Sequence, residues 1–197
     1  MNQAIETLRQ RLNQWVELTP EEWATYREGL HLCAFDRGRL ITRRGEVENQ
    51  IYFVISGIVK IYFVHGEREI CVDFAFEQDL VNSFISFATR QPSVLALQAI
   101  TPVEALCVSH SEVVRFNDLS KNSERLGRLI MEQLYIRKSR KEMKLLSQTA
   151  EERYFDLMTR HPEVGRQIPI KDIASYLGIH PESLSRIRKK MMMSVKK

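Results

Sequence analysis

The spacing of hydrophobic positions along this 197-residue chain passes from helical to alternating and back to helical. Residues 3–16 place Ile5, Leu8, Leu12, Trp15 and Val16 at helical intervals, the stripe of an amphipathic helix. Thr19-Pro20-Glu21-Glu22 then supplies an N-cap, a proline at the first helical position and a capping-box acid, so a second helix is expected to about Leu30. From His31 the period falls to two. Residues 50–55, 58–64 and 69–74 are rich in Ile, Val, Tyr and Phe and are separated by Ser56-Gly57 and His65-Gly66. Gly38 and Gly45 punctuate the stretch before them, and a further strand pair is expected over 95–100 and 105–108, joined across Thr101-Pro102. Many short strands with glycine turns imply a closed antiparallel barrel or roll.

Near Ser111 the helical period returns, and residues 123–147 run without proline and with a single glycine. Along them Leu126, Leu129, Gln133, Ile136, Arg140 and Met143 recur at three and four, and Ile130, Leu134 and Leu146 widen the stripe. Such a helix has more apolar face than a small roll can cover, so a second copy of the chain is the simplest cover. Thr149-Ala150-Glu151-Glu152 opens another capped helix, which His161-Pro162 should end.

The most informative stretch is residues 168–190, IPIKDIASYLGIHPESLSRIRKK. Ile173 and Leu177 give a short helix an inward face, and Ala174 stands where a second helix must cross closely. Gly178 can take the left-handed conformation that stops the helix, and Ile179 plugs the turn. His180 fits an N-cap, and Pro181 at the first helical position starts a second helix to about Lys190 with Leu184 and Ile187 facing inward. These spacings are those of a helix-turn-helix for DNA.

On the outward face stand Glu182, Ser183, Ser185 and Arg186, groups suited to base edges: arginine can donate twice to guanine, and glutamate accepts from the cytosine amino group. Lys171, Arg188, Lys189 and Lys190, with Lys196 and Lys197, are expected to hold phosphates. The plainer alternative, a helical hairpin with a solvated charged face, is disfavoured by the coincidence of Ala, Gly and the apolar positions at helix-turn-helix spacing.

Charge sharpens this picture. Residues 1–120 carry 11 Lys and Arg against 16 Asp and Glu, giving −5, whereas 121–197 carry 18 against 9, giving +9. A basic C-terminal part attached to an acidic one fits a nucleic-acid-binding module joined to something else. The apolar share of 44% and charged share of 27% are those of a soluble globular protein, and the polar N-terminus lacks a signal-peptide core, so a cytoplasmic location is expected. Cys33, Cys71 and Cys107 lie far apart and read as separate small apolar residues near strands, forming neither a disulfide framework nor a metal site. His31, His65 and His110 are too scattered for a metal-dependent roll enzyme and read as surface or satisfied residues. Neither a phosphate-binding glycine loop nor a nucleophile elbow is found, so no enzyme activity and no cofactor are expected.

A roll, a long helix and a helix-turn-helix, in that order, resemble the cyclic-AMP receptor protein and fumarate-nitrate reduction regulator (CRP/FNR) family of bacterial transcription factors. DIASYLGIHPESLSRIRKK carries the resemblance most strongly, and RRGEVENQIYFVISGIVKIYF at 43–63 looks like the family's glycine-turn-strand unit. Glu182, Ser185 and Arg186 match the Glu-x-x-Ser-Arg pattern of the FNR-like branch, which implies that they read bases. Pro181 stands where the cyclic-AMP-responsive branch has a further arginine. The effector pocket departs further: where that branch has Gly-Glu and Arg-Ser or Arg-Thr, this chain has Asn82-Ser83 and Ser93-Val94. Without the carboxylate and the guanidinium, cyclic-nucleotide binding in the usual pose is not expected.

The fold expected is therefore α+β: N-terminal helices and a double-stranded, jelly-roll-like β-roll over 1–122, a dimerisation helix over 123–147 and a helix-turn-helix domain over 148–197. Its partners would be double-stranded DNA and a second copy of itself, with RNA polymerase a further partner consistent with the resemblance and any effector unidentified. No run long enough to cross a membrane is seen. The competing reading is a ligand-binding regulatory module that acts through protein contacts.

Overall fold

The computed structural model describes residues 2–194. Lys196 and Lys197 lie outside the described residues. By compactness the chain forms two units, Met1–Ile61 with Phe74–Arg137, and Tyr62–Asp73 with Lys138–Lys197. The long helix contributes to both.

In the first unit, helix α1 (Asn2–Asn13) turns Ile5, Leu8 and Leu12 inward, and Val16 joins the same core beyond its end. Helix α2 (Pro20–Glu28) starts at the expected capping box: the Glu22 amide donates to Thr19 Oγ1 at 3.2 Å and the Thr19 amide to Glu22 Oε2 at 2.9 Å. Glu22 is buried, and it also accepts from the Ser120 hydroxyl and from Asn122 Nδ2. The Ser120 bond, helped by the Thr19 amide and Asn122, holds this carboxyl below its ordinary 4.5. Its stabilising contribution is therefore complete above the unfolded-state value and is lost as pH falls through the depressed one. Thermal melts should show Glu22→Gln less stable than the parent at neutral pH, with the two melting temperatures converging in acid. A gap unchanged between neutral and acid conditions would assign the loss to packing.

The strands are β1 (Leu30–Phe35), β2 (Leu40–Thr42), β3 (Gln50–Ser56), β4 (Val59–His65), β5 (Arg68–Ala75), β6 (Leu80–Val81), β7 (Ala96–Ala99) and β8 (Val103–Ser109). Short helix α3 (Phe84–Thr89) lies between β6 and β7, and α4 (His110–Asn117) follows β8. They build two four-stranded sheets, ordered β1-β8-β3-β6 and β2-β7-β4-β5.

This topology corrects the expected turns. Thr101-Pro102 does not close a hairpin, because β7 and β8 belong to different sheets; the Ser56-Gly57 turn likewise carries the chain from β3 in one sheet to β4 in the other. The roll folds back over itself there, and alternation along a strand cannot say which sheet the next strand joins. Gly57, at φ 92°, sits where the two crossings meet, and a β-carbon would come within 2.2 Å of the Pro102 carbonyl oxygen. The adjacent Ile58 amide donates to Thr101 Oγ1 at 2.9 Å.

Apolar clusters lie within this unit. One gathers Ile5, Leu8, Leu12 and Trp23 of the N-terminal helices with Phe53, Leu106, Phe116 and Leu126. Another lies among the strands and includes Tyr52, Val54, Leu97, Ala99, Val103 and Cys107. The cysteines also need correction. Cys33 and Cys107 are joined as a disulfide across β1 and β8, with a Cα separation of 6.4 Å, and do not stand as separate apolar residues; Cys71 lies outside that disulfide and is buried. Strand pairing brings together two residues that are 74 apart in sequence.

Helix α5 (Lys121–Ser147) starts two residues before the expected limit. In the second unit it is followed by α6 (Ala150–Arg160), α7 (Val164–Gln167), α8 (Ile170–Leu177) and α9 (Pro181–Ser194). The capping box at Thr149 is present, and Tyr154, Leu157, Val164, Ile168, Ile173, Ala174, Leu177 and Leu184 form the buried interior. The β4–β5 hairpin joins this unit: Ser175 Oγ accepts from the Cys71 amide at 2.9 Å, and Lys141 pairs with Asp73 at 3.0 Å while lying over the Tyr176 ring. Among the described residues no helix is long and apolar enough to cross a membrane.

Candidate nucleic-acid interface

Helices α8 and α9 are the expected pair, and their turn is built as the sequence implies. Gly178 has φ 69° and ψ 31°, the left-handed cap, and the Ile179 amide donates back to the Ala174 carbonyl at 3.0 Å. Ile173, Ala174, Leu177 and Leu184 are wholly buried, while Ile179 and Ile187 are half-buried at the edge of the contact. Arg153 of α6 locks the end of α8 by donating to the Leu177 carbonyl at 2.7 Å. α9 begins at Pro181, and the Ser183 and Leu184 amides donate to the His180 carbonyl.

With Leu184 inside, the helical period turns Glu182, Ser185, Arg186 and Lys189 to solvent, and all four are exposed. Ser183 is half-buried, and Arg186 Nη2 donates to its hydroxyl at 3.3 Å. The Ser185 hydroxyl donates to the Pro181 carbonyl at 3.1 Å. The outward face thus offers one carboxylate, two hydroxyls and a guanidinium within the first two turns, where a helix entering a major groove meets base edges.

Four of the expected phosphate contacts lie among the described residues, and they are not equivalent. Lys171 and Lys189 are exposed. Arg188 is half-buried and turned sideways, with Nη2 3.5 Å from the Gly165 carbonyl. Lys190 forms an ion pair with Glu151 of α6 at 2.9 Å. Spacing alone gave no sign of these partners, because each lies on another helix. Asp156, held below the usual carboxylate range by its bond from Lys144, ties the end of α5 to α6.

The expected dimer stripe on α5 divides. Leu126 is buried in its own chain, and Leu129 is half-buried against the same core. Beyond them Gln133, Ile136, Arg140 and Met143 are exposed, with Met143 at 64%. Tyr135, Leu145 and Leu146 on the same helix are also exposed.

In the roll, the positions expected to have lost the effector contacts are occupied by an internal network. Ser83 and Ser93 are buried and share a hydroxyl–hydroxyl bond of 2.6 Å, and Ser93 Oγ donates to the Leu95 carbonyl at 2.8 Å. The Ser83 amide donates to the carboxylate of buried Glu48 at 3.3 Å, which also accepts from Thr42 Oγ1 at 2.6 Å and from the Gln50 amide at 3.1 Å. Burial, with the Glu48 charge second, raises the pKa of the neighbouring Tyr52 phenol. Val94 is exposed, and Asn82 Nδ2 is buried with no hydrogen-bond partner among the described residues. Sequence reasoning missed Glu48; a lone glutamate ahead of a strand carries no signal of its own.

Residues 32–118 match the family of cyclic nucleotide-binding domains. No curated protein matches the chain. Among solved structures the chain is similar to FixK2 from Bradyrhizobium japonicum, with 21% identity, a TM-score of 0.69 and coverage of 84% of this chain and 85% of that one. It is also similar to the c-di-GMP-responsive global regulator CLP of Xanthomonas campestris, with 18% identity, a TM-score of 0.65 and coverage of 89% and 93%. Catabolite activator protein from Thermus thermophilus aligns with 20% identity, a TM-score of 0.53 and coverage of 90% and 85%. Residues 32–118 are therefore similar to cyclic nucleotide-binding domains, and the chain has the fold seen in CRP/FNR-family transcriptional regulators.

Proposed function

We propose that this chain is a sequence-specific DNA-binding transcriptional regulator that acts as a homodimer on a pseudo-palindromic operator and does not respond to cyclic AMP. The observation that carries the reading is the division of α9. Leu184 is wholly buried, while Glu182, Ser185 and Arg186 face solvent from the first two turns of a helix crossing a partner at a left-handed glycine turn. In a dimer, two such helices would enter successive major grooves about one helical turn, roughly 34 Å, apart. The exposed stripe of Gln133, Ile136, Arg140 and Met143 supports pairing along α5. Selection of bound sequences from a random duplex pool tests this. A two-fold motif with half-sites one turn apart is expected, and recovery of no motif at physiological salt would refute the reading in favour of a module acting through protein contacts.

Glu48 supports the second half of the proposal. An anionic phosphate brought to Ser83 and Ser93 would meet a buried carboxylate already engaged by Thr42, Ser83 and Gln50, while the nearby Arg90 guanidinium is committed to the Glu48 and Phe87 carbonyls and to Asn49 Oδ1. Calorimetric titration with cyclic AMP or cyclic GMP should show no saturable heat at micromolar concentrations. Saturable binding would overturn that part alone. Asn82 Nδ2, buried without a hydrogen-bond partner among the described residues, favours an effector that presents a neutral acceptor at that depth.

A further inference from the structure

We propose that His31, Cys33 and Cys107 form a site for one thiophilic metal ion, of the Zn²⁺ class, that is open only when the two cysteines are reduced. The strand register places these residues together. His31 lies directly opposite Cys107 across the antiparallel β1–β8 pair, and Cys33, two residues further along β1, falls on the same face. Their ligand atoms all lie within 4.8 Å of one another. Ligands of one tetrahedral zinc stand roughly 3.5–4 Å apart, so rotamer adjustment within the reduced pair brings them into range. The site is graded in depth: Cys107 is fully buried, Cys33 half-buried and His31 exposed, which gives an ion a route from solvent past the imidazole to the sulfurs.

The donor set determines what kind of site this is. Two thiolates and a neutral imidazole exactly balance a divalent charge once both thiol protons leave, so a bound ion would leave the half-buried site electrically neutral. Sulfur and imidazole select zinc-like ions over magnesium or calcium. Three protein ligands leave a fourth position for solvent, the arrangement of an exchangeable site and not of a closed structural one.

In the disulfide form each sulfur has lost the charge that binds metal, so the two states exclude one another. Opening requires a two-electron reductant; with a thiol, two sulfhydryls reduce the Cys33–Cys107 bond, become a disulfide themselves, and leave two protein thiols. Closing by a peroxide reverses the electron flow. The two thiolates give up two electrons and join, the metal departs, and the peroxide with two protons becomes two waters.

The test is Co²⁺ titration of the whole chain, reduced with a phosphine and then freed of it. One equivalent is expected to produce a sulfur-to-cobalt charge-transfer band with the visible bands of a tetrahedral ion, and one equivalent of Zn²⁺ should abolish both. Cys33→Ser should lose the charge-transfer band or halve it, Cys71→Ser should keep it, and peroxide treatment before titration should prevent it. Loss of an outer-shell partner already costs about 10- to 100-fold in metal affinity, so His31→Ala, which removes a ligand, should cost at least that. Cys33 is only half-buried, and circular dichroism of the serine variant provides the check on folding. Absence of the band in the reduced parent protein, its full retention in Cys33→Ser, its loss in Cys71→Ser or its persistence after peroxide would each overturn the proposal.

Discussion

Replacing Arg186 by alanine is expected to lower affinity for the preferred operator by about 1–3 kcal/mol, roughly ten- to a hundredfold, and to flatten discrimination at one base pair of each half-site. The guanidinium is exposed, and its bond to the Ser183 hydroxyl holds it over the outward face without burying it. Little folding energy is at stake, so the loss should appear in recognition and not in the melting temperature. Lys189→Ala is the contrast: it should weaken all sequences similarly and reduce the slope of log affinity against log salt by about one. Binding measurements on operator variants at several salt concentrations separate the two effects. If Arg186→Ala returned the parent motif at full strength, the assignment of this side chain to a base would be wrong.

A doubly charged seam should do still more damage. With Ile136→Glu and Met143→Glu together, the exposed stretch of α5 would bury two unpaired carboxylates against their symmetry mates, at a cost of several kcal/mol. Sedimentation should then find a monomer. Affinity for the palindrome should fall by at least about a hundredfold, toward the level of a single half-site or of non-specific binding. Neither residue belongs to the buried core of its own chain, so far-ultraviolet dichroism should be preserved. A variant that remained dimeric would place the subunit contact elsewhere.

The helix-turn-helix was legible because its determinants are local. Gly178, Pro181 and the spacing of Ile173, Leu177 and Leu184 lie within a dozen residues, and each constrains the backbone where it stands. The capping boxes at Thr19 and Thr149 were readable for the same reason. What could not be read was pairing at a distance. Residues 95–100 and 105–108 were correctly strand-like but were expected to lie side by side, because an alternating pattern specifies faces and not neighbours. The two-residue strand β6 and the short helices α3 and α7 are too brief to show a period. On α5 a single stripe serves two environments: Leu126 enters its own core and Met143 does not, and periodicity cannot mark where one use gives way to the other. The cysteine pair and the ion pair of Lys190 with Glu151 were invisible for the same reason as the sheet order, since each joins positions that only the tertiary fold brings together.

Because the chain passes between its two compact units after Ile61, after Asp73 and again after Arg137, no single cut releases the unit that carries α8 and α9 intact. A protease acting near Ser147 would free helices α6 to α9 but strip away the hairpin whose Cys71 amide meets Ser175 and the lysine that lies over Tyr176. Grafting this unit onto another protein would therefore mean carrying over two separate stretches of sequence, and a conventional end-to-end fusion would inherit a loosened one.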